Sequence, residues 1–84
     1  MKYRIEIAPL ANYYVVAAKD KKTGELKESF TLNESAADIL RLLCEEKDLE
    51  TIAEEMSNMY DAPAKVIMND IMKLTEELKQ KGLI

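Results

Sequence analysis

The chain has no histidine, no tryptophan, one cysteine, two glycines and two prolines among its 84 residues. Without histidine it lacks the side chain that most often serves as a general base or a metal ligand near neutral pH. Cys44 has no histidine to activate it and no second cysteine for a disulfide, so we predict a buried structural thiol. The two glycines are far apart in the sequence, which excludes a glycine-rich loop for phosphate.

Acidic residues are common, but their spacing does not favour catalysis. Adjacent pairs occur at Glu45-Glu46, Glu54-Glu55 and Glu76-Glu77, in segments with helical periodicity. Neighbouring residues on a helix point about 100° apart, so these carboxylates do not converge on one substrate. We therefore expect no catalytic residue, no metal site and no cofactor, which indicates a binding protein rather than an enzyme.

The formal net charge of −4 limits the partners of the protein. Affinity for nucleic acid depends on lysines and arginines that neutralise phosphates, and the only basic cluster, Lys19, Lys21 and Lys22, is interrupted by Asp20. An acidic surface also disfavours anionic lipid. No apolar run approaches the roughly 18 residues of a transmembrane helix, and no signal-peptide pattern is present. We expect no nucleic acid and no membrane, and a cytoplasmic location, where a single cysteine stays reduced.

The first third of the chain predicts β-strands. Tyr3, Ile5 and Ile7 alternate with polar residues, which is the period-two pattern of a half-buried strand. A second strand is expected over 13–18. This segment is apolar on both faces, which is typical of a strand covered on both sides or of one whose second face awaits a partner.

A third strand is predicted over 26–32, after a turn at Gly24. Leu26, Phe30 and Leu32 are expected to face the core. As the last strand of a meander it has one free edge, and such an edge is either protected or used for binding. An extended peptide can add there as a further strand.

The remainder of the chain predicts three helices. Asn33 and Asp48 are suitable N-cap residues for the first two, Pro63 lies near the first position of the third, and Gly82 ends it in a left-handed conformation. Apolar residues recur at intervals of three and four. The faces are Ala36, Ile39, Leu40 and Leu43; then Leu49, Ile52, Ala53, Met56, Met59 and Tyr60; then Ile67, Ile71, Leu74 and Leu78.

These elements predict a single domain over residues 1–84, with a β-meander in 1–33 and a three-helix part in 34–84. The fold class is α+β. Two short helices joined by a tight turn and packed against a small sheet are typical of a winged helix-turn-helix, here with a three-stranded antiparallel sheet followed by three helices.

The third helix has more apolar surface than one core contact requires. Ala64, Met68, Met72 and Thr75 form a second stripe about 90° from the first. Two interpretations stay open. A small domain can wrap its last helix deeply, or flexible methionines can line a groove beside the sheet and accept an apolar guest.

Several segments, in order, resemble the PqqD family. The resemblance covers residues 30–84, and the first strands in outline. It is carried by FTLNESAADIL at 30–40, Ile52-Ala53, YDAP at 60–63, VIMNDI at 66–71, Leu74, Leu78 and GLI at 82–84.

PqqD-type proteins are also known as recognition elements for the precursors of ribosomally made, post-translationally modified peptides. The resemblance implies that the leader segment of a precursor peptide binds as an added strand beside the third strand, over the groove to the third helix. It also implies presentation to a separate modifying enzyme, often a radical SAM enzyme, without catalysis by the binding protein. Carried over by position, the peptide-binding residues are Ser29, Phe30, Thr31, Leu32, Val66, Met68, Ile71, Met72 and Thr75.

Two positions depart from the family pattern. The segment Glu45-Glu46-Lys47-Asp48 lacks the glycine that often follows the first helix, which changes a turn. Thr75 stands where an apolar residue is usual, which predicts a shallower or more polar far end of the groove.

Two other functions stay open. A winged-helix protein can bind DNA through its third helix, although here four lysines are balanced by four carboxylates in that region. Alternatively, the methionine stripe can make the chain a dimeric interaction or adaptor subunit.

Overall fold

The computed structural model describes all 84 residues as three strands followed by three helices. The elements are β1 (Arg4–Leu10), β2 (Tyr13–Lys19), β3 (Leu26–Leu32), α1 (Glu34–Cys44), α2 (Leu49–Tyr60) and α3 (Ala64–Gln80). This confirms the α+β class and the predicted order of sheet and helices. The description as a winged helix-turn-helix stays a prediction.

The three strands form one antiparallel sheet in the order β1-β2-β3. Ala11 adopts a positive φ of 55° in the tight connection from β1 to β2. Because β2 is central, β1 and β3 each have one edge without a neighbouring strand.

A β-bulge changes the direction of the side chains at the start of β3. It leaves Lys27 without a partner between Leu26 and Glu28. Since side chains alternate along a strand, one extra residue reverses the alternation. Glu28 is therefore half-buried with Phe30, whereas Leu26 is 56% exposed. The prediction that Leu26 faces the core was wrong.

Side-chain caps begin the first two helices. The Asn33 carboxamide oxygen accepts a hydrogen bond from the backbone N–H of Ala36 at 2.9 Å, and the Asp48 carboxylate accepts one from Thr51 at 2.8 Å. The Thr51 N–H also lowers the pKa of Asp48. Both predicted N-caps are confirmed. Only one residue, Asn33, separates β3 from α1.

The end of α3 forms a Schellman motif. Gly82 has a φ of 73°, its N–H donates to the carbonyl of Lys79 at 3.0 Å, and the N–H of Leu83 donates to Leu78 at 2.9 Å. These are the two hydrogen bonds that define the motif. The side chains of Leu78 and Leu83 are fully buried, so the chain returns to the core after the left-handed Gly82, whose predicted conformation is confirmed.

The core lies between the inner face of the sheet and the helices. All 14 buried residues are apolar. The predicted stripe of α3, which comprises Ile67, Ile71, Leu74 and Leu78, is buried along its whole length. In α2, Leu49 and Met59 are exposed, contrary to the predicted apolar face, because they lie at the two ends of the helix and beyond the edge of the core.

Cys44 is exposed, so the prediction of a buried thiol was wrong. It is the last residue of α1, where the helix extends past the core, and it borders a shallow cleft with Ile5 and Ile7 of β1. Partial burial raises the pKa of the thiol, which favours its protonated form near neutral pH.

A chain of polar contacts connects α2 to α1 and α1 to the sheet. The Tyr60 hydroxyl of α2 donates a short hydrogen bond to the Asp38 carboxylate of α1. Asp38 also pairs with Arg41 at 2.7 Å, and the Arg41 guanidinium lies 5.4 Å from the ring centroid of Tyr14 in β2. Burial, followed by the hydrogen bond to Asp38, raises the pKa of Tyr60.

No helix is long and apolar enough to cross a bilayer.

The buried stripe of α3 predicts a large loss of stability on truncation. Leu78→Ala removes a fully buried side chain and should lower the free energy of unfolding by about 2–5 kcal/mol, because a cavity is added to the lost transfer energy. Met72→Ala is the control, since Met72 is 61% exposed on the same helix and should change stability by about 0.5 kcal/mol or less. Urea denaturation measures both. Equal effects would contradict the assignment of the stripe to the core.

The Tyr60 hydrogen bond predicts a pH dependence in alkaline solution. Because the folded-state pKa of Tyr60 is raised, its contribution to stability is complete below the ordinary tyrosine pKa of about 10 and is lost as the pH rises above it. Tyr60→Phe should lower stability at pH 7 by about 1 kcal/mol. It should also lose less stability than the wild type between pH 10 and 12, as measured by denaturation at each pH. Parallel pH profiles would show that Tyr60 titrates normally.

Candidate functional site

A cleft separates the end of β3 and the start of α1 from α3. Its volume is about 180 Å³. The apolar part of its lining consists of Leu32, Ala36, Ile39 and Leu74. Three of these four side chains belong to the buried core, so the floor of the cleft is the exposed margin of that core.

The rim on the helical side is charged. Asp70, Lys73 and Glu77 of α3 line the cleft. At 100° per residue they occupy the flank of α3 that lies roughly 70–130° from the buried stripe. Val66, one turn earlier and 50% exposed, falls on the same flank.

β3 and α3 lie beside each other along this cleft. Leu32 and Leu74 both line it. Further along, the Lys81 ammonium lies 5.0 Å from the ring centroid of Phe30. Leu32 is therefore near Leu74, and Phe30 is near Lys81. Since the residue numbers decrease along β3 as they increase along α3, the strand and the helix run antiparallel.

The rim charges have no ion-pair partners within the chain. The four salt bridges of the structure are Arg4–Glu6, Lys19–Glu6, Arg41–Asp38 and Lys47–Glu55. None involves a residue of α3 or Lys81. The charged flank of the cleft is therefore available to a ligand.

The structure divides the residues predicted for peptide binding. In β3, Phe30 is half-buried and Leu32 is buried on the core side, whereas Ser29 and Thr31 are exposed on the opposite face. In α3, Val66 belongs to the cleft-facing flank, whereas Ile71 is fully buried in the core.

The other three predicted residues lie away from β3. Helical geometry places Met68 and Thr75 on the flank opposite Asp70 and Glu77, and Met72 towards solvent. Met68 packs against the core, and the Thr75 hydroxyl donates to the Ile71 carbonyl at 2.8 Å. For Met68, the interpretation that a small domain packs its last helix deeply is the one that agrees with the structure. Contact of these three residues with a peptide stays a prediction.

Sequence reasoning missed the charged rim. Asp70, Lys73 and Glu77 recur at intervals of three and four residues, which marks a helical face. The same interval is typical of an ordinary solvated face, so the signal was present but did not distinguish a rim from solvent. Leu74 was assigned to the core alone, although it also forms the floor of the cleft.

The features of the cleft suit the binding of an extended ligand. The cleft has an apolar floor, a charged rim and the backbone edge of β3 beside it. No three side chains among the cysteine, aspartate and glutamate residues converge in a way that could hold a metal ion.

Comparisons with known proteins agree with this architecture. The chain is similar to "TbiB1 in Complex with the TbiA(beta) Leader Peptide", with a TM-score of 0.70 and 24% identity over 99% of this chain and 93% of the other. It is also similar to "Lasso peptide synthetase B1 complexed with the leader peptide", with a TM-score of 0.68 and 24% identity over 98% and 95%. No curated protein matches the sequence. The family model for coenzyme PQQ synthesis protein D (PqqD) matches residues 14–84, and the chain therefore belongs to the PqqD family.

Proposed function

We propose that this protein binds the leader segment of a ribosomally made precursor peptide and presents it to a separate modifying enzyme. The leader adds as a fourth strand on the free edge of β3. The observation that carries the proposal is this unpaired edge beside an apolar cleft in a member of the PqqD family.

The two free edges of the sheet differ in their suitability for strand addition. β1 contains Pro9, which has no N–H to donate, and its Glu6 is held by Arg4 and by Lys19 at 2.9 Å. Proline and charged side chains are the usual protection of an edge strand. β3 has no proline, and beyond its bulge the stretch 29–32 remains open, so β3 is the edge on which we expect the peptide.

An added strand would use both the backbone and the cleft. Its N–H and C=O groups would pair with those of β3, which supplies affinity without regard to sequence. Alternate side chains would point towards the floor formed by Leu32 and Leu74, and the others towards solvent. Because ordering a flexible peptide offsets much of the contact energy, we expect a dissociation constant near the micromolar range. This corresponds to a binding free energy of about −8 kcal/mol.

The structural comparisons support a peptide ligand. Both similar structures are described as complexes with a leader peptide, and they share the fold of this chain over nearly its whole length. The same fold with an accessible β3 edge is therefore compatible with a leader peptide here.

In this proposal the chemistry belongs to a partner enzyme. The absence of histidine and the lack of convergent acidic groups support a binding role for the chain itself. A radical SAM enzyme is the partner class implied by the family resemblance, and it stays a prediction. Ribosomal synthesis of the precursor and the lone cysteine favour a cytoplasmic location.

The alternative functions have less support. DNA binding would require a basic surface on α3. The charged side chains on the flank of α3 towards the cleft instead alternate between negative and positive. Dimerisation through methionines would require a continuous apolar stripe, but Met68 packs against the core and Met72 lies apart from it in solvent.

Strand addition predicts where a bound peptide perturbs the protein. We would select peptides from a displayed library of random segments of about 12 residues, roughly 40 Å when extended. Chemical-shift mapping with a selected peptide should show the largest changes in 27–32 and along 70–77. Perturbations confined to β1, or to the turn at Asp61, would contradict docking on β3.

A steric variant tests the same docking mode. Ser35→Trp places an indole in the cleft, since Ser35 is a half-buried lining residue, and should weaken binding of the selected peptide at least about tenfold, or 1.4 kcal/mol. Asn58→Trp on the exposed surface of α2 is the matched control and should bind as the wild type does. Thermal denaturation verifies that both variants are folded.

A further inference from the structure

The cleft-facing flank of α3 carries charges that alternate in sign at regular intervals. Lys73, Glu77 and Lys81 are four residues apart, so all three fall on the same side of the helix. Pairs at this spacing can form ion pairs, yet none of the three lies within 4.0 Å of an opposite charge. Lys81 contacts the Phe30 ring instead, which leaves Glu77 without a cation.

The spacing of these charges nearly matches that of an extended peptide. Four residues of an α-helix advance about 6.0 Å along its axis, and two residues of a strand advance about 6.6–6.8 Å. Over two steps the difference is about 1.5 Å, which the long side chains of lysine and glutamate can absorb. Three successive same-side residues of an added strand can therefore lie opposite Lys73, Glu77 and Lys81.

On the basis of the strand addition proposed above, we propose that this protein selects peptides with the charge pattern acidic-x-basic-x-acidic in the segment that lies along α3. The acidic residues face Lys73 and Lys81, and the basic residue faces Glu77. The pattern reads the same in both chain directions, so it applies to a parallel or an antiparallel added strand.

The chemistry of the cleft favours a long basic side chain at the central position. Lysine and arginine can lay their aliphatic stems along apolar surface while the charged group reaches the rim. Here the stem would cover Leu32 and Leu74, and the cation would reach Glu77. Asp70 lies only three residues before Lys73, about 4.5 Å along the axis, so it weakens the selection at the first acidic position.

These charges act mainly on specificity. Exposed ion pairs are each worth a factor of a few in affinity, whereas a peptide with reversed charges brings like charges together at all three positions. Backbone pairing with β3 supplies the general affinity, and the rim of α3 decides which extended segment is preferred.

To test this proposal, peptides would be selected from the displayed library for binding to the wild type and, separately, for binding to a charge-reversed variant. The variant is Lys73→Glu/Glu77→Lys/Lys81→Glu. Peptides selected on the wild type should be enriched in acidic-x-basic-x-acidic segments, and those selected on the variant in the inverse pattern. Two synthetic peptides that differ only in these three charges should differ in dissociation constant by about tenfold or more on the wild type, and in the opposite sense on the variant. The difference should shrink at 1 M salt, where the screening length falls to about 3 Å.

Control variants separate the rim from net charge and from misfolding. Lys79→Glu changes the net charge by −2, as the triple variant does, but it lies on the opposite flank of α3, beside Met68 and Thr75, and it should keep the wild-type preference. Glu77→Lys alone should reverse the preference at the central position if the triple variant does not fold.

The outcomes also distinguish this inference from the proposed function. Peptides that perturb β3 but show no charge pattern, or the same pattern on both proteins, would overturn the charge selection and leave strand addition intact. If no selected peptide perturbs β3, strand addition itself fails, and the charge selection fails with it.

Discussion

The burial of one stripe of α3 is the constraint on which the rest of the structure depends. Ile67, Ile71, Leu74 and Leu78 supply four of the 14 buried residues, and the Schellman motif returns Leu83 to the same core. Rotation of the helix would expose this apolar face to water, and this exposure costs roughly 25 cal/mol of free energy for each Å². The flank beside the stripe is therefore held in one direction, towards β3.

The short connection at Asn33 is the second part of this arrangement. Because only Asn33 separates β3 from α1, and the same residue caps the helix, the first turn of α1 must lie at the end of the strand. The strand, the start of α1 and the flank of α3 then enclose a cleft whose floor is continuous with the core. Binding at this place requires no new core, only a further strand on an edge that the sheet leaves open.

This architecture separates two sources of recognition. The backbone of β3 can pair with any extended segment, because its hydrogen-bonding groups do not depend on sequence. The side chains of α3 vary along its length, and in our proposal they distinguish one segment from another.

Local features of the chain were predictable from its amino acids alone. The caps at Asn33 and Asp48, the left-handed Gly82 and the stripe of α3 depend on residues within one turn of each other, so their physical causes are contained in short segments. The bulge that turns Leu26 outward and the exposure of Cys44 depend on pairing and on the extent of the core, which no short segment contains.

The same holds for the site. Periodicity identified the flank of α3 with Met68 and Thr75 and missed the flank with Asp70 and Glu77. The packing of α3 against α1 and α2 decides which flank faces β3, because that packing sets the rotation of the helix and joins residues far apart in the chain.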